Sequence, residues 1–388
     1  MAVPSRRPNR PEVIDHLSVT REFAEARATI LTEVSHSIWD HPELCFEERH
    51  AHGVLVEQFE RAGVDVTGSA HGLDTAFVAE AGTEGPTVAV ICEYDALPGI
   101  GHACGHNVIA AAGLGAGLAL AALAEEHGGR VRIIGTPAEE GGGGKELLIR
   151  AGAFDGVDAA VMVHPADRDL PTMEAIAVHQ VHACYSGRSA HAAAAPERGR
   201  NALDAAVLGY VNVAALRQHT AVHERIHGVF TDGGAKPNIV PESAATHWYV
   251  RSATSASLRE LEPRVEACLH AGAVAAGCEV ELRWVDPAYD EMIHDPWLLE
   301  RFGEHAAVLG RTLEDPEIDG PVVGSTDMGN VSQRVPSIHP MIAVAPRGVP
   351  IHTPEFATHA RSAAGDRAAV DGAALLAATV LDYWHRDR

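Results

Sequence analysis

The chain is short of positive charge: 30 Lys and Arg stand against 53 Asp and Glu, a formal net charge of −23 over 388 residues. Affinity for a phosphate backbone rests on clusters of Lys and Arg, so nucleic acid is excluded as an expected partner. An acidic field favours basic or neutral small substrates over anionic ones. Cysteine is scarce as well. Its six positions, Cys45, Cys92, Cys104, Cys184, Cys268 and Cys278, follow no regular spacing. That excludes a disulfide framework and predicts reduced thiols, with one candidate metal ligand among them. The opening MAVPSRRPNRPEV lacks an apolar core segment, so no signal peptide is expected there. It reads as a loose tail, and the protein as cytoplasmic. The longest apolar run, Val108 to Ala124, falls short of the roughly 20 residues of a membrane span, so no membrane partner is expected. Its Ala and Gly content predicts a tightly packed buried helix. There are no internal repeats, and the one low-complexity tract is Gly141 to Gly144.

What is present is a hydrophobic fraction of 46%, in a chain longer than the ~250–300 residues at which a single core stops growing. Two domains are therefore expected. β-branched apolar runs alternate with helical patterns, which predicts an α/β fold with a mostly parallel sheet flanked by helices. The strand candidates are Thr87 to Tyr94, Val131 to Gly135, Ala159 to Val163 and Met341 to Ala345. From about Val181 the texture changes to strand, helix, strand, strand, helix, strand, which predicts a smaller α+β domain inserted at 181–293. Residues 1–180 and 294–388 would form the larger domain.

Polar residues cluster after the strands of that larger domain. Asp95 follows the first, Glu139 and Glu140 the second, His164 the third, and His352 lies in the loop beyond the fourth. Ligands of open parallel sheets bind at the carboxyl ends of the strands, so these segments should converge on one crevice. GHACGHN at Gly101 to Asn107 adds Cys104 and His106, and TPAEEGGGGK at Thr136 to Lys145 contains the paired carboxylates. Metal-assisted hydrolysis needs ligands that make water acidic and a carboxylate that shuttles its proton, and both kinds of group are here. If the segment is extended, neighbouring carboxylates point in opposite directions, one able to ligate while the other faces substrate.

Together with GAKPNIVPE and GSTDMGNVSQ these motifs are specific. The chain resembles the aminoacylase and carboxypeptidase G type of metallopeptidase, peptidase family M-twenty, from about Trp39 to the HTPEF at His352. Within it the chain is most similar to the dipeptidase branch that cleaves before a basic C-terminal residue. The resemblance implies a zinc-peptidase-like catalytic domain with an inserted lid and dimerisation domain. It also implies two divalent ions held by Cys104, His106, Glu140, His164 and His352, with Cys104 bridging. Zinc is the expected metal, and manganese or cobalt suit the same donors. Glu139 matches the catalytic base, and Asp95 the acid that orients a ligand histidine. His191 matches a lid histidine that reaches the active site of the partner subunit, which implies a homodimer through the lid. Asn238 and Arg251 match lid residues that polarise the scissile carbonyl and hold the substrate carboxylate. Ser325, Thr326 and Asp327 are expected to line the pocket. Where many relatives have a ligand histidine this chain has Glu93, to which no role is given.

The expected activity is metal-dependent hydrolysis of the amide of a dipeptide or N-acyl amino acid. Aminobenzoyl-glutamate or another N-acyl conjugate, and a non-catalytic metal-binding homologue, are the alternatives. Retention of every proposed ligand and of Glu139 argues against the last. A nucleotide site at the Gly113 segment GLGAGL lacks the third glycine and lies inside a helical pattern instead of at its start. The GGGG run lacks the Gly-Lys-Ser/Thr ending of a phosphate loop and reads as a turn.

Overall fold

The strand Thr87–Glu93 is the centre of the fold, and all seven of its residues are buried. A strand covered by helices on both faces reads as a continuous apolar run, as TVAVICE does. In a computed structural model that describes residues 16–319 and 323–386, this strand pairs in parallel with Arg130–Thr136 and Ala159–Val161. The short strand Ser337–Ile338 adds in parallel to the far side of Ala159–Val161. Phe77–Ala81 and Asp65–Gly68 extend the opposite edge antiparallel. The six-stranded sheet is thus mixed and mostly parallel, as the sequence led us to expect. The N-terminal tail inferred from composition lies outside the described residues.

One strand falls elsewhere than expected. Met341–Ala343 pairs in parallel with His164–Ala166 in a separate two-stranded ladder, and Ser337–Ile338 takes the edge of the main sheet instead. Pro340 lies between the two short strands, and its carbonyl accepts the amide of His164. The chain steps out of the main sheet there and carries His164 with it.

The run singled out as a buried helix is the helix His106–His127, of which 83% of the 18-residue apolar window is buried at a mean hydropathy of 1.9. By length and composition alone it could cross a membrane. A helix apolar all round is also what the core of a large soluble domain demands. It can lie directly on the central strand because of Gly113, where a Cβ would sit 2.6 Å from both Cys92 Sγ and Ile91 O. The equally buried helix Ala363–Trp384 covers it, started by Ser362, whose hydroxyl accepts from the amides of Ala364 and Gly365.

The residues from Ala177 to Trp284 build a second sheet with a core of its own. Its four strands run antiparallel in the order Glu279–Trp284, Ala177–Ser186, Ser243–Ser252, Arg225–Asp232. Ser243–Ser252 alternates buried and open residues along its length, the pattern of a sheet with one covered face. The helices Ala202–Leu216 and Ser255–Ala276 supply that cover, capped by the side chains of Asn201 and Thr254. From Ala177 onward the elements run strand, helix, strand, strand, helix, strand.

Candidate metal centre and its cavity

The polar residues that follow the strands do meet. Glu93 ends the central strand and Asp95 follows it; Glu139 and Glu140 follow Arg130–Thr136; His164 opens the short ladder. Cys104 and His106 arrive from the start of the buried helix, where Gly105 takes φ 81° and a Cβ would press to 2.8 Å from Pro165. Glu139 and Glu140 occupy a turn, not the extended segment we anticipated, and Ala138 before them sits at φ 61°. His352 itself has φ 62°. Non-glycine residues held in the left-handed region cost of order 1–3 kcal/mol, and such strain collects at functional sites.

Three donor sets overlap at this place. Cys104, His106 and His164 form one, Cys104, Glu140 and His352 a second, and Glu93, His106 and Glu139 a third; within each, the donor atoms lie within 4.8 Å of one another. Cys104 Sγ is 3.4 Å from His164 Nε2, and Glu140 Oε1 is 3.5 Å from His352 Nε2 and 3.9 Å from His106 Nε2. The other ring nitrogens are already engaged. His106 Nδ1 donates to the Asp95 carbonyl at 2.8 Å and approaches its Oδ1 at 3.1 Å, and His164 Nδ1 donates to the carbonyl of Pro165. That fixes the tautomer of both rings and turns Nε2 inward. Asp95 Oδ2 accepts the amide of Glu140, so one carboxylate orients two of the donors.

The residues fit a pair of divalent ions. His106 Nε2 stands 3.1 Å from Glu93 Oε1, and neither of these buried atoms nor Glu140 Oε1 makes a hydrogen bond among the described residues, a gathering of donor atoms that a cation would complete. Burial, with the negative charge of Glu140, pushes the Cys104 thiol far up, so it ionises only beside a cation. Burial and the charge of His106 push His164 down to about 4, which keeps the ring neutral and able to ligate. Burial opposes ionisation of Asp95 and Glu140, yet both lie below the usual carboxylate range. The hydrogen bond from His106 outweighs it at Asp95, and the neighbouring imidazoles of His352 and His106 outweigh it at Glu140. Glu139 is the opposite case: burial first, then the charges of Glu93 and Glu140, hold its carboxyl well above the usual range. Two adjacent glutamates are thereby split into an ionised carboxylate able to ligate and a group inclined to take a proton.

Asp327 requires correction. Expected on the pocket wall, it is fully buried behind it, where it and Glu93 both pair with the fully buried ammonium of Lys145. Burial raises Asp327 to about 6 despite that cation. Lys145 was missed. Its only signal was its position at the end of the run GGGGK, whose glycines form the turn into the helix Gly144–Arg150. Glu48 was missed too. Buried, and raised to about 7 by desolvation, it accepts the amide of Ala138 and so holds the strained turn that presents Glu139. Tyr289 secures that turn from the other side, donating to the Glu139 carbonyl at 2.6 Å and accepting the amide of Gly143.

A cavity of about 700 Å³ opens over the donors, with Cys104, Glu139, Glu140, His164 and His352 on its floor. Its roof comes from the second sheet through Gln180, Arg225, Tyr249 and Arg251, and Ser325 and Thr326 line its side. Arg251 donates to Ser325 Oγ at 2.8 Å and stands over the Tyr249 ring. His191 and Asn238 do not line this cavity. They sit together on exposed segments joined by a hydrogen bond from the amide of Ala192 to the Asn238 carbonyl. The amides of Ala193 and Ala194 both donate to His191 Nδ1, which puts the ring proton on Nε2, facing outward as a donor.

The sequence profile described as peptidase family M20/M25/M40 matches residues 55–382. A Xaa-Arg dipeptidase from Mus musculus is 40% identical over 377 residues, spanning 93% of this chain and 87% of that protein. A putative aminohydrolase structure from methicillin-resistant Staphylococcus aureus superimposes with a TM-score of 0.78 at 22% identity, over 94% of this chain and 99% of that one. A Bacillus subtilis structure, described as a dinuclear metal binding peptidase of the M20 family, gives 0.69 at 22% identity over 92% and 99%.

Proposed function

The chain belongs to peptidase family M20/M25/M40 and is a metal-dependent hydrolase of peptide and amide bonds; from that premise we propose that it cleaves dipeptides with a basic C-terminal residue, two ions being held by Cys104, His106, Glu140, His164 and His352. The observation that carries the reading is the pair of donor sets sharing Cys104, with a proton-seeking Glu139 beside them. Zinc is the proposed metal, since thiolate, imidazole and carboxylate donors suit it. When bound, the ions supply Lewis acidity, polarising the amide carbonyl and making water more acidic.

The chain's own groups do the rest. Glu139 takes the proton of the attacking water and returns it to the leaving amine. Glu48, Tyr289 and Asp95 hold the turn and ring that present Glu139 and His106. Arg251, with Ser325, meets the substrate carboxylate across the roof of the cavity. A second cavity of about 560 Å³ shares Met173 and Ile176 with the first and carries Glu174 and Glu291. It offers an acidic berth for a basic side chain. The Xaa-Arg dipeptidase relative supports this choice of substrate.

His191 and Asn238 stand outside the cavity of their own chain, which supports a homodimer in which each lid sheet serves the partner's site. The Nε2 proton of His191 would then stabilise the oxyanion. Six unpaired thiols support a reducing compartment, the cytoplasm.

The test is metal content and hydrolysis of a panel of Xaa-Arg, Xaa-Lys and neutral dipeptides, acyl amino acids and aminobenzoyl-glutamate, for wild type and Glu139→Gln. We expect about two ions per chain at this centre, fastest turnover of the basic dipeptides, and turnover lost in the variant with its metal kept. Preference for an aryl-glutamate would overturn the substrate assignment. Mixing Glu139→Gln with His191→Ala chains should restore part of the activity if the lid acts in trans.

A further inference from the structure

The helix His106–His127 starts in the candidate metal centre and ends in a second group of histidines. Twenty-one steps of 1.5 Å put the two ends about 30 Å apart. At the far end His127 meets His16, from the first residue of the helix His16–Ala26, and His385, at the end of the helix Ala363–Trp384. One nitrogen of each of the three rings lies within 4.8 Å of the others, and His127 Nδ1 is 3.0 Å from His385 Nε2. His16 is 7% exposed and His127 6%.

His16 supplies the second observation. Its Nδ1 is 2.7 Å from Asp382 Oδ1, and its Nε2 is buried with no hydrogen-bond partner among the described residues. Asp382 is itself held, since His305 Nε2 meets its other oxygen at 2.9 Å. A carboxylate behind one ring nitrogen, leaving the other bare, is the arrangement that orients a histidine toward a metal and makes it a better donor. The bare nitrogen belongs to one of the three rings in the cluster.

We propose that His16, His127 and His385 form a structural binding site for a divalent transition-metal ion of the zinc class, which ties three helices together at the end of the domain away from the cavity. Tetrahedral zinc with Zn–N bonds of about 2.0–2.1 Å places its nitrogens about 3.3 Å apart. The 3.0 Å pair already meets that spacing, and closing a 4.8 Å gap asks each ring to move by less than about 1 Å. Three imidazoles and a water would complete the coordination. Imidazole donors select zinc, copper, nickel or iron over magnesium and calcium. His385 is half-buried, so an ion can enter without unfolding of the helices.

The test compares untagged full-length wild type with His385→Gln, a change at the most accessible of the three rings. Both are equilibrated with buffered zinc, cleared of loose ions by gel filtration and analysed for zinc per chain. The variant should carry one zinc fewer and keep the ions of the catalytic centre; equal loading overturns the proposal. As an independent reading, added zinc should raise the Tm of wild type by a few degrees more than that of His385→Gln. Equal shifts would overturn it too. Failure of catalysis in either chain bears on the cavity 30 Å away and leaves this comparison intact.

Discussion

One buried helix ends in histidine on both sides, and the two surroundings could hardly differ more. At its N-terminus His106 faces Glu93, Glu140 and Cys104, with Glu139 beside them under an open cavity. At its C-terminus His127 faces two further histidines, and the carboxylate there, Asp382, is already engaged by His16 and His305. The lesson is that donors alone make a place for an ion. Chemistry needs a carboxylate left over after the ligands are counted, and room above it. In the proposed mechanism Glu139 is that surplus group; Asp382 is engaged on both oxygens.

The division can be attacked from either end. The largest effect should come from Glu139→Gln, which we expect to lower kcat by about 10²–10⁴-fold with the metal content unchanged. If metal were lost along with turnover, Glu139 would be a ligand, and the surplus carboxylate would have to be sought elsewhere. Next comes Lys145→Met, which leaves Glu93 and Asp327 buried without their cation. Breaking a buried ion pair costs about 3–5 kcal/mol, so the midpoint of urea unfolding should fall sharply. A loss under about 1 kcal/mol would mean that the active end does not depend on this charge for its fold.

At the other end, Asp382→Asn should cost about 1–3 kcal/mol at neutral pH. Burial raises the acid's pKa, but the hydrogen bonds from His16 and His305 outweigh it and hold the carboxyl well below the usual range. A depressed pKa contributes stability above the unfolded value near 4, and that contribution is lost as pH falls through the folded one. The gap between wild type and variant in a pH series should therefore close below about pH 4 and stay open above it. A constant gap would locate the effect in packing. The smallest change is Arg251→Met, for which we expect KM to rise about tenfold with a lesser change in kcat, in keeping with one charged hydrogen bond of about 1.5–3 kcal/mol. Dipeptide amides, which lack the carboxylate, should show no such rise. Equal loss on both substrates would remove Arg251 from carboxylate binding.

Much of the catalytic end was legible because it obeys a local rule. Asp95, Glu139, Glu140 and His164 follow strands whose apolar runs are unmistakable, and Cys104 and His106 share one short motif. Asp327 defeated the reading because Ser325, Thr326 and Asp327 look alike in sequence, while only the fold decides that the third turns inward to Lys145. Met341–Ala343 was recognisable as a strand, but which neighbour it pairs with depends on a step of a few residues around Pro340. The distal cluster had no sequence signal. His16, His127 and His385 are ordinary members of a set of 24 histidines, and three separate helix ends bring them together.

The insertion of the second sheet has a consequence in time. Ala159–Val161 waits for its outer neighbour Ser337–Ile338, some 175 residues further along the chain. The apolar helix His106–His127 waits longer still for the cover of Ala363–Trp384. At roughly 5–20 residues per second of synthesis, a bare sheet edge and a helix greasy enough for a bilayer stand uncovered for on the order of 10–40 seconds. The nascent chain passes through that interval with most of the proposed metal donors made and the last, His352, still to come. A chaperone that shields hydrophobic surface has a defined moment at which to act, and the second sheet is being made throughout it.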